Sequence, residues 1–194
     1  MDTRIRRTRD ALFRAFDALI LERTYDDITV EEVSGRAGVG RSTFYTHFKD
    51  KDALMHARIQ RFADGIDRSG PVSRERFRFS LFLFRQVVTH ADHIRSLTSQ
   101  SLALATITEA VSDQVRGEMR EMAGTRAIDS DRFEFTAQFV VGAFMSVLRW
   151  WLETGNAGEP ERMDEMFQSL TQQALCRPPD AAEPCFWCLP AAVA

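Results

Sequence analysis

The chain of 194 residues is 44% hydrophobic and 27% charged, which is typical of a folded globular protein and not of a disordered one. Its formal net charge of −3 at pH 7 excludes a surface that is basic throughout. The first apolar stretch is interrupted by Arg14, Asp17 and Glu22, and the longest uncharged run, residues 135–148, is shorter than the ~20 residues of a membrane span. We therefore expect a cytoplasmic protein with no signal peptide and no contact with a membrane.

The beginning of the chain is more basic than the remainder. Residues 1–68 contain 13 Lys and Arg against 12 Asp and Glu, whereas the other residues contain 12 against 16. Arg4, Arg6 and Arg7 cluster before the first helical pattern is established. A short basic arm at this place can lie along a phosphate backbone or enter the minor groove of DNA, and a frayed, solvated terminus is the alternative.

Two short helical patterns meet at a glycine turn within residues 29–48. Thr29 and Glu32 have the spacing of a capping box, which predicts that the first helix begins at Thr29. Gly38 follows that helix, where a glycine takes the left-handed conformation at little steric cost and reverses the chain. The second helix begins at Arg41. These signals predict a helical hairpin with a tight turn.

The second helix of this hairpin has one apolar side and one small polar side. Phe44 and Phe48 are four residues apart and therefore lie on one face. The other faces carry residues that are weak helix formers and that suit contacts with base edges and phosphate oxygens: Ser42, Thr43, Tyr45 and Thr46. This pattern predicts a helix-turn-helix that enters the major groove. The alternative is a hairpin whose polar face meets only water, where Glu, Lys and Gln are more usual.

Helical patterns continue to about residue 176, and no sustained alternation of period two predicts a strand. We expect helix four over residues 50–67, a Phe-rich central helix over 77–88, a short piece over 91–99, a longer helix ending at Gly124, and two final helices beginning near Asp129 and at Pro160. The chain is therefore predicted to be all-α.

The helix predicted over residues 133–152 is apolar on two sides. One side of such a helix can meet its own domain and the other a second subunit, and a central helix of a monomeric core is the alternative. The predicted dimer interface combines one stripe of this helix with the stripe of the last helix: Val140, Phe144, Val147, Trp151, Met163, Phe167 and Leu170.

Apolar and small polar side chains are spread over helices that should converge, which favours a pocket for a small, mostly apolar ligand. The predicted lining is Phe62, Phe79, Phe82, His90, His93, Thr106, Met119 and Phe135. Two histidines are too few ligands for a metal site. Cys185 and Cys188 have the spacing of half a zinc or redox site but no second pair, so we expect no metal and no cofactor.

The run ITVEEVSGRAGVGRSTFYTHFKDKDAL, preceded by TRDALFRAFDALILERTYDD, resembles the N-terminal domain of the tetracycline-repressor (TetR) family of one-component regulators. The resemblance covers about residues 4–66. It implies an N-terminal three-helix helix-turn-helix DNA-binding domain (residues 1–50) joined to a larger helical effector-binding and dimerisation domain (51–176), with a Pro/Ala-rich tail over 177–194.

The resemblance also implies roles for individual positions. Helix one, about residues 6–23, would support the motif through Leu12, Ala15, Phe16 and Leu19. Tyr45, His47 and Lys51 match positions that contact phosphates, and Thr29 would lie near one. Ser42, Thr43 and Thr46 match base-reading positions, and Arg41 would reach a guanine or a phosphate.

The sequence therefore predicts a transcriptional regulator and no enzyme. The favoured hypothesis is a repressor that binds a palindromic operator as a homodimer and is released by a small, mostly apolar effector. One alternative is a helical small-molecule-binding protein without a DNA role. The other is a DNA-binding regulator without a small-molecule effector, controlled by a partner protein.

Overall fold

The computed structural model describes residues 3–64, 76–98, 101–124, 129–155 and 158–176. Over these ranges the chain forms α-helices and no strand, which confirms the all-α prediction. The helices are α1 (Thr3–Glu22), α2 (Val30–Arg36), α3 (Arg41–His47), α4 (Lys51–Ala63), α5 (Arg78–Thr98), α6 (Ser101–Ala123), α7 (Ser130–Glu153) and α8 (Pro160–Cys176). The break expected at Ser69-Gly70-Pro71 and the cysteine-containing tail lie outside the described residues.

The helices belong to two compact units. Unit 1 comprises Met1–Asp64 and His90–Ile107, and unit 2 comprises Gly65–Thr89 and Thr108–Ala194. The pieces expected over 77–88 and 91–99 are one helix, α5, whose backbone is non-helical at His90 (φ −133°, ψ 33°). Unit 1 includes α4. The sequence analysis places this helix in the second domain, because it expects the domain boundary at residue 50.

The core of unit 1 is built on α1 as the sequence predicts. Leu12, Ala15, Phe16 and Leu19 are all buried. Ion pairs join α1 to α4: Arg58 lies 3.0 Å from Asp17, and Arg61 pairs with Asp10. The helix α4 is therefore fastened to α1 along one side.

The basic arm predicted before the first helix is part of that helix, so its predicted conformation is wrong. The helix α1 begins at Thr3, so Arg4, Arg6 and Arg7 are exposed residues of its first turns. Arginine is a good helix former, and no Gly or Pro precedes the apolar pattern to stop the helix from extending backwards. Any DNA contact made by these arginines would come from a helix.

Unit 2 is held together by a cluster of buried aromatic rings. The ring centroid of Phe79 lies 4.9 Å from that of Phe144, and Phe144 lies 5.4 Å from Phe167. Phe84 contacts Phe144 at 5.2 Å and Trp151 at 5.5 Å. Such edge-to-face and tilted pairs add about 0.5–1.5 kcal/mol each to the burial of apolar area. This cluster joins α5, α7 and α8.

The predicted dimer interface is corrected by this packing. Val140, Phe144, Trp151, Met163 and Phe167 are buried within the single chain, so they cannot also form its outer surface. Of the predicted set, Val147 is only partly buried and Leu170 is exposed. The sequence shows two apolar sides on α7, but periodicity alone does not say which of them faces the rest of the same unit.

By length and composition α7 is apolar enough to cross a membrane. In this protein one side of α7 is buried in the aromatic cluster, and its sequence ends in the exposed pair Arg149–Glu153. A core helix of a soluble protein has the same length and composition, and we assign α7 to the core.

A buried polar cluster holds the first turn of α5 within unit 2. Glu118 of α6 accepts hydrogen bonds from the backbone N–H groups of Arg78 (2.6 Å) and Phe79 (3.1 Å) and from the side chain of Gln114 (3.0 Å). From α8, the Gln168 side chain both accepts from and donates to the backbone of Phe77. These side chains satisfy N–H groups that a helix start leaves without partners.

Burial raises the pKa of Glu118, although its hydrogen bonds oppose that shift. A carboxyl whose pKa is higher in the folded than in the unfolded state adds stability below its ordinary value of 4.5 and loses it as the pH rises through the folded value. We therefore expect the free energy of unfolding of wild type, relative to Glu118→Gln, to fall as the pH rises above 4.5. Urea unfolding across this range measures the difference.

At neutral pH, Glu118→Ala should lower the free energy of unfolding by about 2–4 kcal/mol, because it leaves buried donors unpaired. Glu121→Ala is the matched control, since this exposed carboxylate forms an ion pair with Arg78 and its loss should cost less than about 1 kcal/mol. Equal effects of the two substitutions would contradict the assignment.

Candidate DNA-binding site

The capping box predicted at the start of α2 is present. The Glu32 amide donates to the Thr29 hydroxyl (3.2 Å), and the Thr29 amide donates to the Glu32 carboxylate (2.9 Å). The Thr29 amide and then the Thr29 hydroxyl, which also donates to the Glu32 carboxylate at 2.9 Å, lower the pKa of Glu32. Arg23 adds an ion pair with Glu32 at 2.5 Å. Thr29 is therefore fixed in place by its own helix start.

The turn between α2 and α3 depends on one glycine. Gly38 has φ +68°, the left-handed conformation that residues with a side chain disfavour. The Val39 amide donates to the Ser34 carbonyl (3.0 Å) and the Gly38 amide to the Gly35 carbonyl (3.1 Å). This pair of bonds is a Schellman motif, which ends α2 and sets the direction in which α3 leaves.

The predicted division of α3 into an inner and an outer face is confirmed. Phe44 and Phe48 are buried, and the ring centroid of Phe48 lies 5.7 Å from that of Phe13 in α1. Tyr45 is 51% exposed, so its ring and hydroxyl are accessible from outside. Arg41, Ser42 and Thr46 are also exposed, whereas Thr43 and His47 are partly buried.

The polar side chains on the outer face of α3 keep hydrogen-bonding capacity for an external partner. The Thr46 hydroxyl donates to the Ser42 carbonyl (2.9 Å), so its oxygen still has lone pairs directed outwards. Short hydroxyls on a helix surface can approach base edges closely. The outer face of α3 therefore offers hydrogen-bonding groups and one aromatic ring, and a single cation at its start.

Two charged residues near α3 did not enter the sequence prediction. Glu31 of α2 lies 3.6 Å from Arg41, with both side chains largely exposed. Lys49 follows α3 directly, and its side chain is 91% exposed. Lys49 is recognisable from its position in the Lys-Asp dipeptide, but the approach of Glu31 to Arg41 across the turn is a consequence of the fold.

Lys51 differs from the other predicted DNA contacts because its ammonium group is already occupied. Lys51 Nζ donates to the carbonyl of Tyr25 at 2.6 Å and lies 3.5 Å from that of Asp26. The same nitrogen is 4.1 Å from the centre of the Tyr25 ring. Lys51 is also partly buried, unlike Lys49.

The predicted pocket residues are not brought together in one unit. Phe62, His90 and Thr106 belong to unit 1, whereas Phe79, Phe82, Met119 and Phe135 belong to unit 2. Phe135 is 76% exposed, so its assignment to an enclosed pocket is wrong. Phe79 is part of the packed aromatic cluster. The side chain of His93 lies outside the described residues, and the remaining positions stay predictions.

Comparisons with known proteins agree with this geometry. Residues 12–57 match the bacterial regulatory proteins of the tetR family, and residues 78–173 match a transcriptional regulator C-terminal region. The chain belongs to the TetR family. It is therefore a DNA-binding transcriptional regulator whose helix-turn-helix is formed by α2 and α3.

Individual relatives of this TetR-family regulator are distant. It is 39% identical over 62 residues, 31% of its length, to the uncharacterized HTH-type transcriptional regulator YxbF of Bacillus subtilis, of which this stretch covers 16%. The chain aligns with less than a quarter of the length of the curated relatives it matches.

Solved structures resemble the chain over most of its length. A TetR transcriptional regulator from Streptococcus agalactiae 2603V is 26% identical, with a TM-score of 0.65 and with 88% of this chain and 96% of that chain covered. NalD, the secondary repressor of the MexAB-OprM multidrug efflux pump in Pseudomonas aeruginosa, is 16% identical over 88% of this chain and 96% of its own, with a TM-score of 0.57. The likeness to NalD concerns the fold alone.

Proposed function

We propose that this TetR-family regulator is a repressor that binds a palindromic operator as a homodimer and is released by a small, mostly apolar effector. The observation that carries the proposal is the outer face of α3, where an exposed tyrosine and hydroxyl side chains stand above a buried aromatic side. Repression is proposed because the family resembled is that of the tetracycline repressor and because NalD is a repressor. Cytoplasmic location follows from this role.

The exposed residues divide by the chemistry that they offer to DNA. Ser42 and Thr46 carry short hydroxyls suited to base edges, with Thr43 beside them. Arg41 and Tyr45 can reach phosphates or, for Arg41, a guanine. Thr29, which caps α2, and His47, in the last turn of α3, are proposed as further phosphate contacts. Two such surfaces in a symmetric dimer would face half-sites roughly 34–36 Å apart or somewhat more.

Selection of bound sequences from a random DNA pool should therefore yield a palindrome. Tyr45→Ala should weaken binding to all sequences, because it removes a backbone contact, whereas Thr46→Ala should change the preference at particular base pairs by about 1–3 kcal/mol. Thr89→Ala is the matched control: the Thr89 hydroxyl makes the same bond to a carbonyl four residues earlier, but it lies on α5. Equal binding of operator and random DNA by wild type would refute the proposal.

The surface proposed for dimerisation is the exposed side of α7 together with α8. Phe139 and Trp150 are exposed large apolar residues of α7, and the exposed Gly142 and Ser146 between them leave room for a close approach of a second helix. On α8, Met166 and Leu170 are exposed four residues apart. This choice of side replaces the one predicted from the sequence, because the other side is buried within the chain.

Trp150→Glu or Leu170→Glu should give a folded monomer, because either would place an unpaired charge at the proposed interface. Val88→Glu is the control, since Val88 is about as exposed as Trp150 (52% against 54%) but lies on α5 of the same unit. Sedimentation equilibrium at micromolar concentration distinguishes the variants. Dimers of unchanged affinity for Trp150→Glu and Leu170→Glu would rule out this surface, and a monomeric wild type would rule out the dimer.

An apolar effector is proposed because buried aromatic rings make up much of the interior of unit 2. Phe82 of α5 is partly buried and remains a candidate for contact with it. The ligand releases DNA only if it binds the DNA-free arrangement more tightly, and by reciprocity DNA must weaken ligand binding by the same factor. A regulator controlled by a partner protein would show no such coupling.

A candidate effector should therefore be titrated with and without operator. The ratio of its two dissociation constants should equal the factor by which the effector weakens operator binding. The coupling free energy expected for such a switch is about 1–3 kcal/mol. Fluorescence of the tryptophans reports effector binding, and fluorescence anisotropy of labelled operator reports DNA release. Equal effector affinity in the two titrations would mean that this ligand is not an inducer.

A further inference from the structure

We propose that Lys51 is a positioning residue for the DNA-binding surface and not one of its phosphate contacts. Its ammonium group fastens the first turn of α4 to the loop between α1 and α2, and that loop leads directly into the helix-turn-helix. The inference rests on the proposed DNA-binding function and assigns Lys51 a different role from the one that the family resemblance implies.

The ammonium group of Lys51 is committed to the backbone of this loop. An ammonium has three N–H donors and no acceptor. One donor reaches the Tyr25 carbonyl at 2.6 Å, and the Asp26 carbonyl lies within hydrogen-bond distance at 3.5 Å. The charge also lies 4.1 Å from the centre of the Tyr25 ring, which is a favourable cation–π arrangement. A phosphate contact that drew the ammonium group away from the loop would break these interactions.

A second bond joins the same two segments in the opposite direction. Tyr25 donates its hydroxyl hydrogen to Asp52, the residue that follows Lys51 in α4. The Tyr25 ring is buried and packs edge-on against Phe16 of α1, 6.2 Å away. Burial first, and then the Asp52 carboxylate, raise the pKa of Tyr25, so its hydroxyl stays protonated and remains a donor. We call this set of contacts between Tyr25, Lys51 and Asp52 the loop clamp.

The loop clamp acts on the start of α2. The Tyr25 carbonyl that accepts from Lys51 also accepts from the Ile28 amide (3.2 Å), and Ile28 immediately precedes the cap residue Thr29. Fixing this carbonyl fixes where α2 begins. Because the Schellman turn then sets the course of α3, a small shift of α2 would displace the outer face of the recognition helix.

The charges around Lys51 also disfavour a phosphate. Asp50 caps α4, its carboxylate accepting from the Ala53 amide at 2.7 Å, and Asp52 lies in the same first turn. These two carboxylates already compensate the positive end of the helix and would repel a phosphate. Lys49 differs because its side chain is 91% exposed, although it lies 3.9 Å from the Asp50 carboxylate.

Lys51→Met and Lys49→Met form a matched pair, since each removes one positive charge two residues apart and keeps an unbranched side chain. Without DNA, amide hydrogen exchange at Asp27, Ile28 and Thr29 should become about tenfold faster in Lys51→Met and stay unchanged in Lys49→Met. Lys51→Gln, which keeps N–H donors without the charge, should fall between wild type and Lys51→Met. Unchanged exchange in both Lys51 variants would overturn the proposal.

The salt dependence of DNA binding supplies the second measurement. A lost phosphate contact reduces the slope of log K against log salt by about 0.9. Lys49→Met should show this reduction on operator and random DNA alike. Lys51→Met should keep the wild-type slope but lose about tenfold in affinity for operator relative to random DNA, because the reading surface is misplaced.

A slope reduced in Lys51→Met as in Lys49→Met would identify Lys51 as a phosphate contact and overturn the proposal. The exchange measurement contains no DNA, so it tests the role of Lys51 separately from the proposed DNA-binding function. If wild type binds no operator, the proposed function fails, whereas exchange still decides whether Lys51 holds the loop.

Discussion

The burial of Phe44 and Phe48 is the interaction on which the DNA-binding surface depends. Both rings leave water on the inner side of α3, where Phe48 meets Phe13 of α1. A helix of seven residues is too short to be stable alone, so its structure comes from this packing and from the turn before it. The outer side is then free to carry Tyr45 and Thr46, which do little to stabilise a helix and are available for recognition.

Two cations beside the helix-turn-helix are engaged by groups of the protein itself. The exposed cation at the start of α3, Arg41, faces Glu31, and the ammonium of Lys51 is held by carbonyl groups. Other cations of unit 1 remain exposed, namely Arg4, Arg6, Arg7 and Lys49, and these can supply an attraction to phosphates that does not depend on sequence. Under the proposed function, discrimination among sequences then rests on the uncharged groups of α3 and on how accurately the fold presents them.

The sequence predicts features that depend on neighbouring residues and misses those that depend on distant ones. The capping box at Thr29 and the turn at Gly38 follow from residues a few positions apart, and both are present. The correct side of α7 depends on Phe79 and Phe84 of another helix, and both sides of α7 are apolar. The partner of Lys51 lies 26 residues earlier in the chain. A lysine at a helix start has the same sequence signature whether it contacts DNA or its own backbone.

The two sides of α7 make this helix the natural link between the core of unit 2 and a second subunit. Phe144 lies on the buried side, in contact with Phe79, Phe84 and Phe167, while Trp150 lies on the exposed side. Packed cores have little free space, so inserting a ligand among these rings requires at least one helix to move. If Trp150 meets a second subunit as proposed, the same movement of α7 alters the dimer contact. An effector could then change the geometry of the dimer through a single rigid element.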